Sequence, residues 1–244
     1  MNVMERAVYL ARIIGADPGK AELAVLRFTI PTMIMLIFNS FYTMVDGAFV
    51  SNFVATSALS AVNIVYPALN LVFAVGIMLA TGGSAIVGRQ MGEGKNQEAR
   101  ENFSLVVAAG TVLGVLIGVG GLVFASPLVR ALGASDAIFQ HCYDYLIYMS
   151  GFTPFAVLQL LFQYLFVTAG RPNLGLISTV AGGLANIILD YVFIVPLQMG
   201  IKGAAIATGI GFMIPAVTGL IYFSVCRSQH LHFTKPVLRG DILV

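Results

Sequence analysis

The chain has little charge. Of its 244 residues only 10% are Asp, Glu, Lys or Arg, where a soluble domain of this size carries about 25%. Water is thereby excluded as its main solvent. Cysteine and histidine are scarce too. Cys142 and Cys226 form no metal or redox spacing, and His141, His230 and His232 leave no catalytic base near the one serine in a glycine-rich stretch, Ser84 of TGGSAIVG. That stretch also lacks the glycine that would complete a nucleophile elbow, so an enzyme is not expected. A balance of 13 basic and 11 acidic residues excludes a strongly basic nucleic-acid binder. A cleaved signal is not expected either: Glu5, Arg6, Arg12, Asp17 and Glu22 crowd the N-terminus, with no small-residue cleavage site after a short apolar run, so the segment reads as retained.

What the chain has is apolar sequence in long blocks, 58% of all residues. The blocks run over 28–51, 58–84, 104–126, 143–168, 174–195 and 203–226, each long enough to cross hydrocarbon as a helix. Short punctuated stretches separate them, as in a helix bundle. The expectation is an all-α integral membrane protein of six spans. Ahead of them, Met4, Val8, Ala11 and Ile14 recur at helical spacing, which suits either an amphipathic helix on the membrane surface or a solvated helical turn.

Positive charge tests the count. With the N-terminus inside, one face collects Arg6, Arg12, Lys20, Arg27, Arg89, Lys95, Arg100, Arg171, Arg227, Lys235 and Arg239, and the other only Arg130 and Lys202. Lys and Arg are retained on the cytoplasmic side, so both chain ends are expected there, in a multi-pass protein of the plasma (cell inner) membrane. Adding or dropping one span would scramble the split. The same topology separates Cys142 from Cys226 by about 30 Å of hydrocarbon, too far for a disulfide. The 26 glycines gather in the spans, where small residues let helices approach closely.

Two acids lie well inside spans, Asp46 in FNSFYTMVDGAFV and Asp190 in LANIILDYVF. A carboxylate there costs several kcal/mol unless it is protonated, paired or hydrated. Asp46 shares a helix face with Asn39, Tyr42 and Thr43, and Asp190 with Asn186 and Gly183, and both acids fall at one depth. Each could be a satisfied polar contact that fixes helix register, or an interfacial residue. The functional reading is a proton or cation site. Two carboxylates brought together away from water can hold a proton near neutral pH, and amide and hydroxyl oxygens would complete an oxygen cage for a metal cation such as Na⁺. Residue types do not choose between H⁺ and Na⁺. Pro31, Pro67, Pro154 and Pro215 each remove a helix hydrogen bond, and Pro31 permits a kink in the first span.

Five motifs taken in order carry a resemblance: Pro31 to Asp46 in the first span, VGRQMGEGKNQEAR, AGRPNLGLI, LANIILDYVFI and GIKGAAIAT. Together they resemble the N-terminal half of the multidrug and toxic compound extrusion (MATE) family. The resemblance implies one six-helix lobe of a twelve-helix transporter that exports organic, often cationic, drug-like compounds by H⁺ or Na⁺ antiport, with no other cofactor. It also implies a cation site at Asp46, Asn186, Asp190 and Thr208, with Tyr145 as a looser match. Cation binding there would reshape the first helix near Pro31. Residues 1–226 would form the lobe and 227–244 the cytoplasmic linker toward a second lobe, apparently truncated. The partners implied are membrane lipid and a second lobe, a second chain or a homodimer partner, and the isolated chain is expected to transport weakly or not at all. The alternatives are a lipid-linked oligosaccharide flippase, disfavoured by the lack of mid-span basic residues, and a non-transporting assembly subunit or fragment.

Overall fold

The computed structural model describes residues 18–54, 56–225 and 231–234. Helix α1 (Pro18–Phe49) runs into a π-helical turn (Val50–Val54) and is followed by α2 (Thr56–Gly92), α3 (Asn96–Val123), a short α4 (Ala125–Ala131), α5 (Asp136–Thr168), α6 (Pro172–Ile194) and α7 (Gly200–Val225). No strand occurs among the described residues. Six helices, all but α4, are long and apolar enough to cross a membrane, so the chain is an all-α, multi-pass membrane protein. An even number of crossings puts the start of α1 and the end of α7 at the same end of the bundle. That is the near end below, and the opposite one is the far end. The proposed surface helix at Met4, Val8, Ala11 and Ile14, and Cys226, lie outside the described residues.

The helices overrun the apolar blocks. The polar run between the second and third spans is itself helical almost throughout, and only a tight turn interrupts it: Gly94 takes φ +77° and the Lys95 N–H closes on the Gln90 carbonyl at 2.9 Å. Lys95 and Arg89 both reach Glu93 at 2.8 Å across this turn and hold its carboxyl down at about 2. The stretch after the third span contains a helix that periodicity did not suggest. α4 is too short for a pattern, yet Ala125 and Val129 are buried and seat it on the bundle.

The turn in AGRPN shows how sequence sets a reversal. α5 closes with Gly170 at φ +73°, its N–H on the Val167 carbonyl and the Arg171 N–H on the Phe166 carbonyl. Pro172 then opens α6, where its missing N–H is no loss.

α5 is the centre of the bundle, packed against α2, α3, α4, α6 and α7. Glycines permit this. A Cβ on Gly114 would come within 2.9 Å of the Pro154 backbone, and one on Gly118 within 2.6 Å of the Ser150 carbonyl, so α3 lies directly on α5. Gly120, on another face of α3, has open space where its Cβ would be. α1 is the opposite case from α5: 11% of its most apolar stretch is buried, against 56% for α5. It is held mainly by α6 and by the π turn, whose Val50 is buried in the far-half core.

Near-end packing is aromatic. Phe103, Phe162, Phe166, Tyr222 and Phe223 form a continuous ring cluster, and residues 231–234 return onto it. Leu231 is 1% exposed, the Phe233 ring lies 5.1 Å from Phe103, and the Thr234 N–H donates to Ser104 Oγ at 2.9 Å.

Candidate cation site

The site is assembled by two close helix contacts. A Cβ on Gly182 would stand 2.5 Å from the Gly211 carbonyl oxygen, so α6 and α7 meet backbone to backbone. One turn on, the Asn186 Nδ2 donates to Thr208 Oγ1 at 3.4 Å, and Thr208 donates in turn to the Ala204 carbonyl at 3.0 Å. Gly183, beside Gly182, has no room for a Cβ against the Phe38 ring of α1, with Tyr42 3.4 Å away. That contact lets α1 lie on α6 and brings Asp46 within interaction range of Asp190. The two acids singled out by their depth thus face each other across the α1–α6 contact.

Burial is graded across the set. Asp190 is 0% and Asn186 1% exposed, Tyr145 and Thr208 are buried, and Asp46 on the loosely held α1 is half-buried. Tyr145 stands within electrostatic reach of both acids, as do Tyr42 and Tyr66 of Tyr145.

Hydrogen bonding leaves a specific deficit. Asp46 Oδ1, Asn186 Oδ1 and both Asp190 carboxyl oxygens are buried with no donor. Each such acceptor costs about 1–3 kcal/mol, so together they weigh against the roughly 5–15 kcal/mol net stability of a whole domain. All four are oxygens, and the Asn186 amide nitrogen is turned toward Thr208. Protons or an alkali cation can satisfy such a set, and carboxylate, amide and hydroxyl oxygens suit hard cations. Among the described residues there is no group of three or more His, Cys, Asp or Glu that could hold a metal ion. Two acids and neutral oxygens match a monovalent cation better than a transition metal.

Two cavities lie along α1. A small one of about 10 Å³, the space of a single water, is lined in part by Asn39, Tyr42, Gln159, Thr179, Asn186 and Thr208. Nearer the near end, a cleft of about 270 Å³ opens between α1, α2 and α5, lined by Thr32, Met35, Leu36, Ser84, Gln163, Tyr164, Val167 and Thr168. In it the Gln163 amide donates to Met35 Sδ at 2.7 Å. Gln159, Gln163 and Thr179 escaped sequence reasoning. Each is a polar residue within an apolar block, and the cost of placing a polar group in hydrocarbon, which marks the acids, marks these neutral side chains too.

The fold and the acid pair define a class of molecule: a six-helix membrane lobe with two carboxyl groups facing each other between its first and fifth crossings. The MatE family model matches residues 31–192, well over half of the chain, and the chain belongs to that family. It is similar to the multidrug export protein MepA of Staphylococcus haemolyticus, 27% identical over 201 residues, which cover 82% of this chain and 44% of that protein. It is also similar to MepA of Staphylococcus aureus, 24% identical over 216 residues, 87% of this chain and 48% of that protein. Among solved structures it resembles a MATE crystal structure in the bent conformation, with TM-score 0.84 and 26% identity, covering 97% of this chain and 52% of that one. A MATE complex with MaD3S gives TM-score 0.84 and 25% identity over 90% of this chain and 50% of that one. The chain spans about half the length of the relatives it matches.

Proposed function

We propose that this chain is the cation-coupling lobe of an antiporter that exports organic, often cationic, drug-like compounds in exchange for H⁺ or Na⁺. The observation that carries the reading is the convergence of four buried, donorless oxygens on Asp46, Asn186 and Asp190. Asp46 and Asp190 are the coupling acids, Asn186 and Thr208 supply neutral oxygens, and Tyr145 closes the wall. No other cofactor is needed for such a cycle.

The unequal anchoring of the helices supports a mechanism. Asp190 is fixed on α6, whereas Asp46 rides on α1, which is buried least and pinned at its far end by Val50. A cation arriving between the acids favours the arrangement that draws Asp46 toward Asp190. α1 yields at Pro31, where its hydrogen-bond ladder is already broken. Pro31 lies level with the cleft, whose Thr32, Met35 and Leu36 belong to the same helix, so bending α1 changes the cleft's shape. At about 270 Å³, half apolar and half polar in its lining residues, that cleft is near the lower size of small-molecule sites. A second lobe, a second chain or another copy of this one supplies the opposite wall. Both chain ends face the cytoplasm of a plasma-membrane protein, as the distribution of Lys and Arg favours.

In vesicles holding the chain with a second lobe, an imposed H⁺ or Na⁺ gradient drives export of an organic cation, and Asp46→Asn abolishes it while the protein stays folded. Undiminished gradient-driven export by that variant contradicts the proposal.

A further inference from the structure

The two basic residues that depart from the charge asymmetry, Arg130 and Lys202, both lie at the far end and both pair with acids on α5. Arg130 meets Asp136 at 3.4 Å and lies over the Phe139 ring at 4.8 Å. Lys202 meets Asp144 at 3.3 Å. The pairs differ in depth. The Asp136 side chain is 92% exposed and makes an ordinary surface contact, whereas that of Asp144 is 16% exposed and both its oxygens are engaged, Oδ2 by Lys202 and Oδ1 by the Gln140 amide at 3.0 Å.

Lys202 sits in the first turn of α7, where the helix dipole disfavours a cation, so Asp144 and not the helix accounts for its position. Asp144 immediately precedes Tyr145, which reaches both coupling acids electrostatically. Thr208 lies six residues further along α7 than Lys202, about 9 Å by helical rise. The ion pair therefore joins, at the far end, the two helices that deliver Tyr145 and Thr208, and its anion is the more withdrawn of the two paired acids there.

We propose that Asp144 and Lys202 form a cation-displaceable gate to the acid pair, an inference that rests on the cation-site reading above. The Lys202 ammonium holds the place at Asp144 that an incoming monovalent cation would take. A cation from the far side displaces Lys202 into water, is received by Asp144 and passes inward beside Tyr145. A partly exposed ion pair is weak enough to exchange in this way.

The test is stopped-flow tyrosine emission of the full chain in lipid nanodiscs. One arm raises sodium chloride at constant ionic strength, and the other drops the pH. In wild type the gate predicts a response in at least one arm that Asp190→Asn removes. Lys202→Met accelerates that response about threefold or more, Asp144→Asn slows it by a similar factor, and the exchange Asp144→Lys with Lys202→Asp restores a rate between them. Opposite signs for the two single variants distinguish a gate from a structural tether, whose loss shifts both rates in the same direction. Same-direction shifts, or unchanged rates in both, overturn the gate while leaving the cation site standing. A wild type with no Asp190-dependent response in either arm overturns the cation site, and the gate falls with it.

Discussion

The Asn186 amide points at Thr208 and not at Asp190. While Asn186 Nδ2 donates to Thr208 Oγ1 at 3.4 Å, its own carbonyl oxygen and both Asp190 oxygens have no donor. Had the amide satisfied Asp190, the acid would be a structural contact. The hydrogen-bond direction instead leaves the Asn186 carbonyl oxygen and the Asp190 carboxylate free, and this separates a cation-site reading from a register-fixing one.

Removing the carboxylate therefore has a stabilising side. Asp190→Asn replaces a buried group lacking donors with a neutral one, and the thermal midpoint of the chain in detergent is expected to rise, by an amount corresponding to about 1 kcal/mol. The same variant loses any midpoint increase that sodium or acidification gives wild type, because a ligand bound only by the folded state stabilises it in proportion to its occupancy. A fall in midpoint on Asp190→Asn, with the increase retained, points to a structural acid.

The α6–α7 contact is predicted to be intolerant of a single methyl group. Gly182→Ala forces a Cβ against the Gly211 carbonyl, parts the helices that hold Asn186 and Thr208, and costs about 1–3 kcal/mol. Gly120→Ala meets open space and should be close to neutral. Thermal midpoints of the two variants check the contrast.

Residues 231–234 should protect the near end. Leu231→Asp buries a charge among Phe103, Phe223 and their neighbours and releases the segment. Hydrogen exchange at the start of α3 and the end of α7 is then faster than in wild type, with the far half of the bundle unchanged. Unaltered exchange at the near end contradicts this.

Glu93 gives a pH dependence whose sign is fixed. Its carboxyl is held at about 2 by Lys95 and Arg89, below the ordinary 4.5 that it regains on unfolding. The stabilisation is thus present above about pH 4.5 and is lost as pH falls toward 2. Wild type and Glu93→Gln should differ slightly in thermal midpoint at neutral pH and converge through that window, the difference being small because the groups are exposed.

Hydropathy and the placement of Lys and Arg made the six helices legible, because hydrocarbon demands long apolar runs and internally satisfied backbone. The acids Asp46 and Asp190 stood out because ionised groups are the expensive ones in a span. Gln159, Gln163 and Thr179 cost less and drew no notice, although they line the two cavities along α1. α4 was too short for periodicity to reveal. The return of residues 231–234 onto Phe103 and Phe223 depends on tertiary contacts between segments far apart in sequence, and HLHFTK reads locally as an ordinary polar tail.

The central claim is that Asp46 and Asp190 take up a proton or cation together. Infrared difference spectroscopy of the reconstituted chain, stepped from about pH 8 to about pH 6 and separately into sodium, reads carboxyl protonation directly. The account predicts a carboxyl signal in wild type, in one step or both, that is absent from the Asp46→Asn/Asp190→Asn double variant. Identical difference spectra for wild type and the double variant would contradict it.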